Sequence, residues 1–255
     1  MCDHNILVIG SEGKLGPIWV RDLATRNSNN LIFATCLETI QGSFAGFINV
    51  RNIVLDVTNY SEDTLRKIIL ENSICRIVYN SGIDTPPESK KVPNFYSTGD
   101  EEIKKTLEVN LVGAMKVFKS IGKILEANNH GSVVLLGSLY ASLAPDQKIY
   151  SHLRGETEFN KPMAYCVSKA GLVSLGRYLA TLWGKSNIRV NTLSPGGVLG
   201  NQDEEFLIKF KEKTPLNRLA DAESDIAPVI NFLLSDDSKY ITGQEIIADG
   251  GYSIW

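Results

Sequence analysis

Short apolar runs recur along this chain, each bounded by polar or turn-forming residues and followed by a longer mixed stretch. The runs are "NILVIG" (5–10), "LIFATC" (31–36), "NIVLDV" (52–57), "CRIVYN" (75–80), "GSVVLLG" (131–137), "IRVNTLS" (188–194) and "QEIIAD" (244–249). Most are apolar almost throughout, the signature of strands covered on both faces, as in a parallel sheet. Candidate helices lie between them at about 16–27, 61–72, 100–128, 162–185 and 222–235. Helix starts are marked by Ser61 with Thr64, by the acidic residues at 100–102, and by Asp221 with Ser224 and Asp225.

Strand–helix alternation from end to end predicts an α/β fold: a Rossmann-type doubly wound parallel sheet of about seven strands, with helices on both faces. No linker, low-complexity tract or internal repeat interrupts it, so one domain over 1–255 is expected. Segments 37–50, 84–99 and 139–161 predict no clear element, and long irregular segments in a compact α/β domain are usually functional or mobile.

Composition narrows the classes. An apolar content of 43% suffices for a large core, and 22% charged residues is ordinary for a soluble protein. A net charge of −3 gives no electrostatic footprint for nucleic acid or an anionic membrane, so neither partner is expected. Cysteines at 2, 36, 75 and 166 have no CxxC spacing and read as reduced thiols of a cytoplasmic protein. The first apolar run is too short for a signal peptide, and none approaches the roughly 20 residues that cross a bilayer. His4, His130 and His152 are scattered along the chain and predict no metal site.

Two patterns carry candidate chemistry. In "YCVSKAG" Tyr165 and Lys169 are four residues apart, on one helix face. After the first strand, "GSEGKLG" puts Gly10, Gly13 and Gly16 ahead of a helix, with Lys14 and Leu15 between them. A strand, a glycine turn and a helix N-terminus make an anion site suited to pyrophosphate; a tight turn without ligand is the other reading.

Taken with the strand order, these features resemble the short-chain dehydrogenase/reductase family over essentially the whole chain. The resemblance also draws on "LDVT" with Asp56, "YNSG" with Asn80 and Gly82, "EVNLVG" with Asn110, and "LLGSLYA" with Ser138. It continues through "RVNTLSPGGV" and the C-terminal "ITGQEIIADGG". It implies hydride transfer between a nicotinamide and a carbonyl or alcohol carbon, with Tyr165 as general acid/base. Lys169 would lower the phenol's pKa and hold the nicotinamide ribose, and Ser138 would bond the substrate oxygen. Asn110 would position a relay water. Asp56 and Val57 would face the adenine; Asn80, Ser81 and Gly82 would line its ribose; Pro195, Gly196 and Val198 would cradle the carboxamide. The family also implies a homodimer or homotetramer. Taken singly, Ser138 could simply end its strand, Asn110 be a buried polar residue, and Asp56 cap its turn.

The chain departs from the family in three places. No acidic residue ends the second strand, where Thr35 and Cys36 stand with Glu38 beyond, and Lys14 could meet a 2′-phosphate. NAD(P) is therefore expected, with NADP favoured over NAD; a solvated loop lysine is the alternative. Twenty-six residues separate Ser138 from Tyr165, more than the family's usual dozen. In this insertion, 145–162, the charges of Lys148, Arg154 and Lys161 cancel those of Asp146, Glu156 and Glu158. Arg154 and Tyr150 are the expected substrate contacts, with His152 close by; packing against another subunit is the alternative. Gly200 and Asn201 stand where a Thr is usual, and the helix after them puts Phe206, Leu207 and Phe210 on one face, as for a lid. The lengthened loop is similar to oxidoreductases of bacterial surface-sugar or flagellin-glycan pathways, which implies a small, sugar-derived substrate. A 3-oxoacyl thioester reductase and a non-catalytic dinucleotide sensor are the competing functions.

Overall fold

The computed structural model describes residues 4–38, 44–84, 94–153 and 159–255. Among these described residues, seven parallel strands form one sheet in the order β3-β2-β1-β4-β5-β6-β7. They are β1 (Asn5–Ile9), β2 (Ile32–Cys36), β3 (Val50–Val54), β4 (Ile74–Tyr79), β5 (Gly131–Leu136), β6 (Ile188–Pro195) and β7 (Glu245–Ala248). The helices are α1 (Gly16–Arg26), α2 (Glu62–Glu71), α3 (Asp100–Leu107), α4 (Gly113–Asn128), α5 (Met163–Trp183), α6 (Glu204–Lys213) and α7 (Ala227–Leu234).

Both faces of the sheet are covered, and the two-residue side-chain period of a strand sorts the core. Leu7 and Ile9 of β1 pack with α2, α4 and α5, around Leu65, Phe118, Ile121 and Trp183. Ile6 and Val8 point the other way and pack with α1 and α7, around Trp19, Leu23, Ile230 and Leu233. Among the described residues no helix is long and apolar enough to cross a membrane.

Local signals account for most helix starts. Ser61 Oγ accepts the Thr64 N–H at 3.2 Å, and Asp221 Oδ1 accepts those of Glu223 and Ser224. Three boundaries differ from expectation. β3 begins two residues earlier than expected and ends at Val54, because as the edge strand it needs fewer apolar side chains; Leu55 and Val57 enter the core from the following turn. The expected helix 100–128 contains one wide turn, a π-helical segment at Glu108–Val112. Tyr79 donates its buried hydroxyl to Val109 O at 3.2 Å, taking up a carbonyl there. A second wide turn, Ala222–Ile226, precedes α7, where Pro228 has no N–H to offer the preceding turn.

The strand order reverses between β1 and β4, so the turns leaving their C-terminal ends diverge and open a crevice. Gly10, Asn80, Gly82, Asn110 and Lys169 lie around it.

Candidate active site

The first turn is fixed from both sides. Gly10 has φ +81°, and a Cβ there would lie 2.6 Å from the Ser81 backbone. A Cβ on Gly16 would lie 2.5 Å from Gly10 O. Asn80 clamps the same turn: its amide donates to Gly10 O at 2.7 Å and its Oδ1 accepts from Trp19 Nε1 at 2.9 Å. Gly13 differs, since nothing lies within 4 Å of its missing Cβ. That open space beside the N-terminus of an eleven-residue helix fits a phosphate. Glu12 reaches across the turn and accepts the Leu37 N–H at 2.8 Å, just beyond β2.

Asp56 is engaged in its own turn, accepting from Thr58 N at 2.8 Å and Thr58 Oγ1 at 2.7 Å, while Val57 is buried against Gly113. At the end of β6, Gly196 N–H donates to Ala248 O at 2.9 Å, and a Cβ there would strike Asp249. Val198 bridges Ala220 in parallel.

Ser138, Tyr165, Lys169 and Asn110 come together from β5, α5 and the wide turn. Ser138 Oγ accepts the Tyr140 N–H at 3.2 Å, and its hydroxyl draws the Tyr165 phenol's pKa down. Lys169 is buried, donates from Nζ to Leu136 O at 2.8 Å, and sits 5.7 Å from the Tyr165 ring centroid. Asn110 is fully buried and pins the β4 exit: Oδ1 accepts Ile83 N–H at 2.7 Å, while Nδ2 donates to Ile83 O at 2.9 Å and Ser168 Oγ at 3.0 Å. Gly82 leaves this corner open; its absent Cβ would lie 3.4 Å from Lys169 Nζ.

The electrostatics correct one expectation. Burial, followed by the Asp84 carboxylate, raises the Tyr165 phenol above its ordinary value, against the lowering pull of Ser138. Burial also brings Lys169 down to about 8, partly offset by Asp84. The phenol is therefore held protonated, because the cost of burying its charge outweighs the lowering by Ser138. A protonated phenol is a proton donor.

The described part of the insertion contributes Ile149, Tyr150 and Phe159 to a packed aromatic cluster. Tyr150, expected on the substrate wall, is buried: its hydroxyl pairs with that of Tyr140 at 2.9 Å, and its ring packs on Phe159 and Phe206. Phe206 and Phe210 of α6 join the cluster, Phe210 stacking on Tyr252 at 4.6 Å, so this face of the helix is filled by neighbouring aromatics. Three polar contacts stitch the segment to α6: Lys213 with Asp146, Lys209 with Ser151 at 2.9 Å, and His152 with Asp203 at 2.7 Å. Arg154 lies outside the described residues.

Two groups escaped the sequence reading. Lys161 pairs with Asp84, and its Nζ stands 4.7 Å from the Tyr165 ring centroid and 5.9 Å from that of Tyr140. The partners are 77 positions apart, and no spacing rule links them. The scattered histidines also need correction. His4 and His130 meet edge to face at 5.2 Å, and with Cys75 their donor atoms lie within 4.8 Å of one another. The N-terminal ends of β1, β4 and β5 bring them together, at the opposite end of the strands from the crevice. Among the described residues, Cys36, Cys75 and Cys166 form no disulfide.

Comparison with known proteins agrees with this architecture. The family described as Enoyl-(Acyl carrier protein) reductase matches residues 53–253. The chain is 34% identical over 160 residues to "Post-translational flagellin modification protein A" of Campylobacter coli, covering 63% of this chain and 60% of that protein. It is 31% identical over 157 residues to a "D-arabinitol 2-dehydrogenase [ribulose-forming]" of Candida albicans, covering 58% and 52%. The chain thus spans between half and three fifths of the length of these relatives. A crystal structure of a short chain dehydrogenase from Leptospira borgpetersenii with bound NAD+ superposes with a TM-score of 0.84 at 27% identity, over 98% of this chain and 93% of that one.

Proposed function

The chain belongs to the short-chain dehydrogenase/reductase family, and from that premise we propose that it is an NAD(P)-dependent oxidoreductase of sugar- or polyol-like carbonyls and alcohols. One observation carries the reading: Ser138, Tyr165, Lys169 and Asn110, four chemically distinct groups from separate elements, meet at the sheet's switch-point crevice. A polyol or sugar substrate is supported by the arabinitol dehydrogenase and flagellin modification relatives. We read the chain as one domain over 1–255, working in the cytoplasm in carbohydrate biosynthesis. Exposed Met115, Val167, Tyr178 and Leu182 on α4 and α5 support a homodimer or homotetramer.

In this reading Tyr165 donates a proton to the carbonyl oxygen in reduction and removes it in oxidation, and Ser138 holds that oxygen beside it. Lys169 supplies positive charge as phenolate develops and holds the nicotinamide ribose. Asn110 keeps Ile83 and the β4 exit fixed, and orders a relay water. A bound nicotinamide dinucleotide supplies or accepts the hydride. Gly13, Lys14, Leu15 and the α1 N-terminus would hold its pyrophosphate. Asp56, Val57, Asn80, Ser81 and Gly82 would border the adenosine, and Pro195, Gly196 and Val198 the carboxamide.

The test is nicotinamide absorbance with a panel of pentitols, ketoses, sugar nucleotides and an acyl thioester. Turnover of a polyol or ketose is expected. Turnover of the thioester alone would replace this reading with an acyl reductase, and none at all with a dinucleotide sensor.

Cofactor preference is governed by two opposite charges on the glycine turn. Lys14 would pair with a 2′-phosphate and favour NADP, whereas the Glu12 carboxylate on Leu37 N–H would oppose that phosphate and suit free ribose hydroxyls. Lys14→Ala is expected to raise KM for NADPH roughly 10- to 100-fold, the worth of a charge-assisted contact, with KM for NADH nearly unchanged. Glu12→Gln should lower KM for NADPH. Equal effects on both cofactors would leave both residues as ordinary loop charges.

A further inference from the structure

We infer that the Asp84–Lys161 ion pair is a hydroxyl-binding subsite, gripping two neighbouring hydroxyls of a polyol or ketose beside the carbon that reacts at Tyr165. The inference rests on Tyr165 being the proton-transferring group.

Position comes first. Lys161 Nζ lies 4.7 Å from the Tyr165 ring centroid, so the pair borders the place where a substrate bonded to that phenol must sit. Both charges sit beside hydrogen-bonded backbone. Asp84 directly follows Ile83, whose N–H and C=O are both taken by Asn110. Lys161 donates its N–H to Gln147 Oε1 at 3.1 Å and is followed by Pro162, the first residue before α5. The wide turn at Asn110, the insertion and the catalytic helix thus converge on one ion pair.

Holding the fold together does not account for it. The insertion is already fastened to α6 by three polar contacts and an aromatic cluster. The Lys161 side chain is only 9% exposed, and desolvating an ammonium to that degree opposes folding unless its charge is used. Asp84 keeps 33% of its side chain exposed, so the pair is open on the carboxylate side.

The chemistry selects the ligand. A carboxylate only accepts hydrogen bonds, an ammonium only donates them, and a hydroxyl does both. Two adjacent hydroxyls can span the pair, one donating to Asp84 and the other accepting from Lys161, while the two charges stay together. A phosphate or carboxylate would have to compete with Asp84 for Lys161 and would then face a like charge beside it. The net neutral pair therefore fits a hydroxylated, uncharged substrate, and it leaves the acid/base work to Tyr165.

The experiment uses the full chain with the polyol or ketose turned over in the panel, and its deoxy analogue lacking the hydroxyl next to the reacting carbon. In Asp84→Asn and Lys161→Met, the ratio of kcat/KM for the hydroxylated substrate to that for the analogue should fall at least 10-fold, mainly through KM, with the conservative Lys161→Arg recovering part of it. Ratios unchanged from wild type overturn the subsite. So does an Asp84→Asn variant that binds a sugar phosphate more tightly while Lys161→Met loses it, which would mark an anion site. Calorimetric binding of the polyol to the Tyr165→Phe protein with cofactor separates the two readings. Binding retained there but lost on adding Lys161→Met supports the subsite even if Tyr165 is not the proton donor; binding unaffected by Lys161→Met overturns it. Thermal unfolding of each variant identifies any that fails to fold, for which Lys161→Gln and Asp84→Ser remove the same charges and give the same comparison.

Discussion

Tyr165→Phe is expected to lower turnover by at least about 100-fold, the usual contribution of a positioned acid/base group, while cofactor affinity changes little. The ring keeps its place in α5 and its packing, and only the phenol hydroxyl is lost. Lys169→Ala should weaken both turnover and cofactor binding, because one ammonium serves the ribose and the phenol. Burial brings Lys169 down to about 8, so its positive charge is present below that pH and lost above it. Wild-type kcat/KM for the cofactor should accordingly fall as pH rises through about 8, and this step should be missing in Lys169→Ala. Steady-state rates with cofactor titrations by nicotinamide fluorescence measure all three. A Tyr165→Phe protein with near-normal turnover would refute the assigned chemistry.

Gly10→Ala should have the largest effect on the fold. A left-handed conformation costs an alanine about 1–2 kcal/mol, and at φ +81° that strain cannot be relieved locally. The added Cβ would also meet the Ser81 backbone at 2.6 Å, on the exit of a strand hydrogen-bonded to β1 itself. Together these should destabilise the protein by about 3 kcal/mol or more, read from the urea midpoint at unchanged slope. Gly13→Ala is the matching control. Its Cβ would enter open space, so stability should hold while cofactor binding weakens. If both variants unfold at the wild-type midpoint, the turn is not braced against β4 as described.

The sequence by itself determined the parallel sheet, the glycine turn, the α5 helix with Tyr165 and Lys169 on one face, and the caps at Ser61 and Asp221. These are local matters. An apolar run reports that a strand is buried on both faces, i,i+4 spacing reports a shared helix face, and a cap bonds a backbone group three residues away.

Only the tertiary structure decided what non-local contacts control. β3 shifted because it lies at the edge, a property of strand order that its own residues do not carry. Tyr150, which the sequence assigned to substrate, became core because Tyr140, Phe159 and Phe206 close over it from three segments. Asn110 works through a wide turn that helical periodicity does not reveal. His4, Cys75 and His130 look unrelated until three parallel strands line up their N-terminal ends. Asp84 carries no sequence signal, and in sequence Lys161 is one of six charges that cancel across 145–162. They meet because the β4 exit and the approach to α5 reach the same end of the sheet.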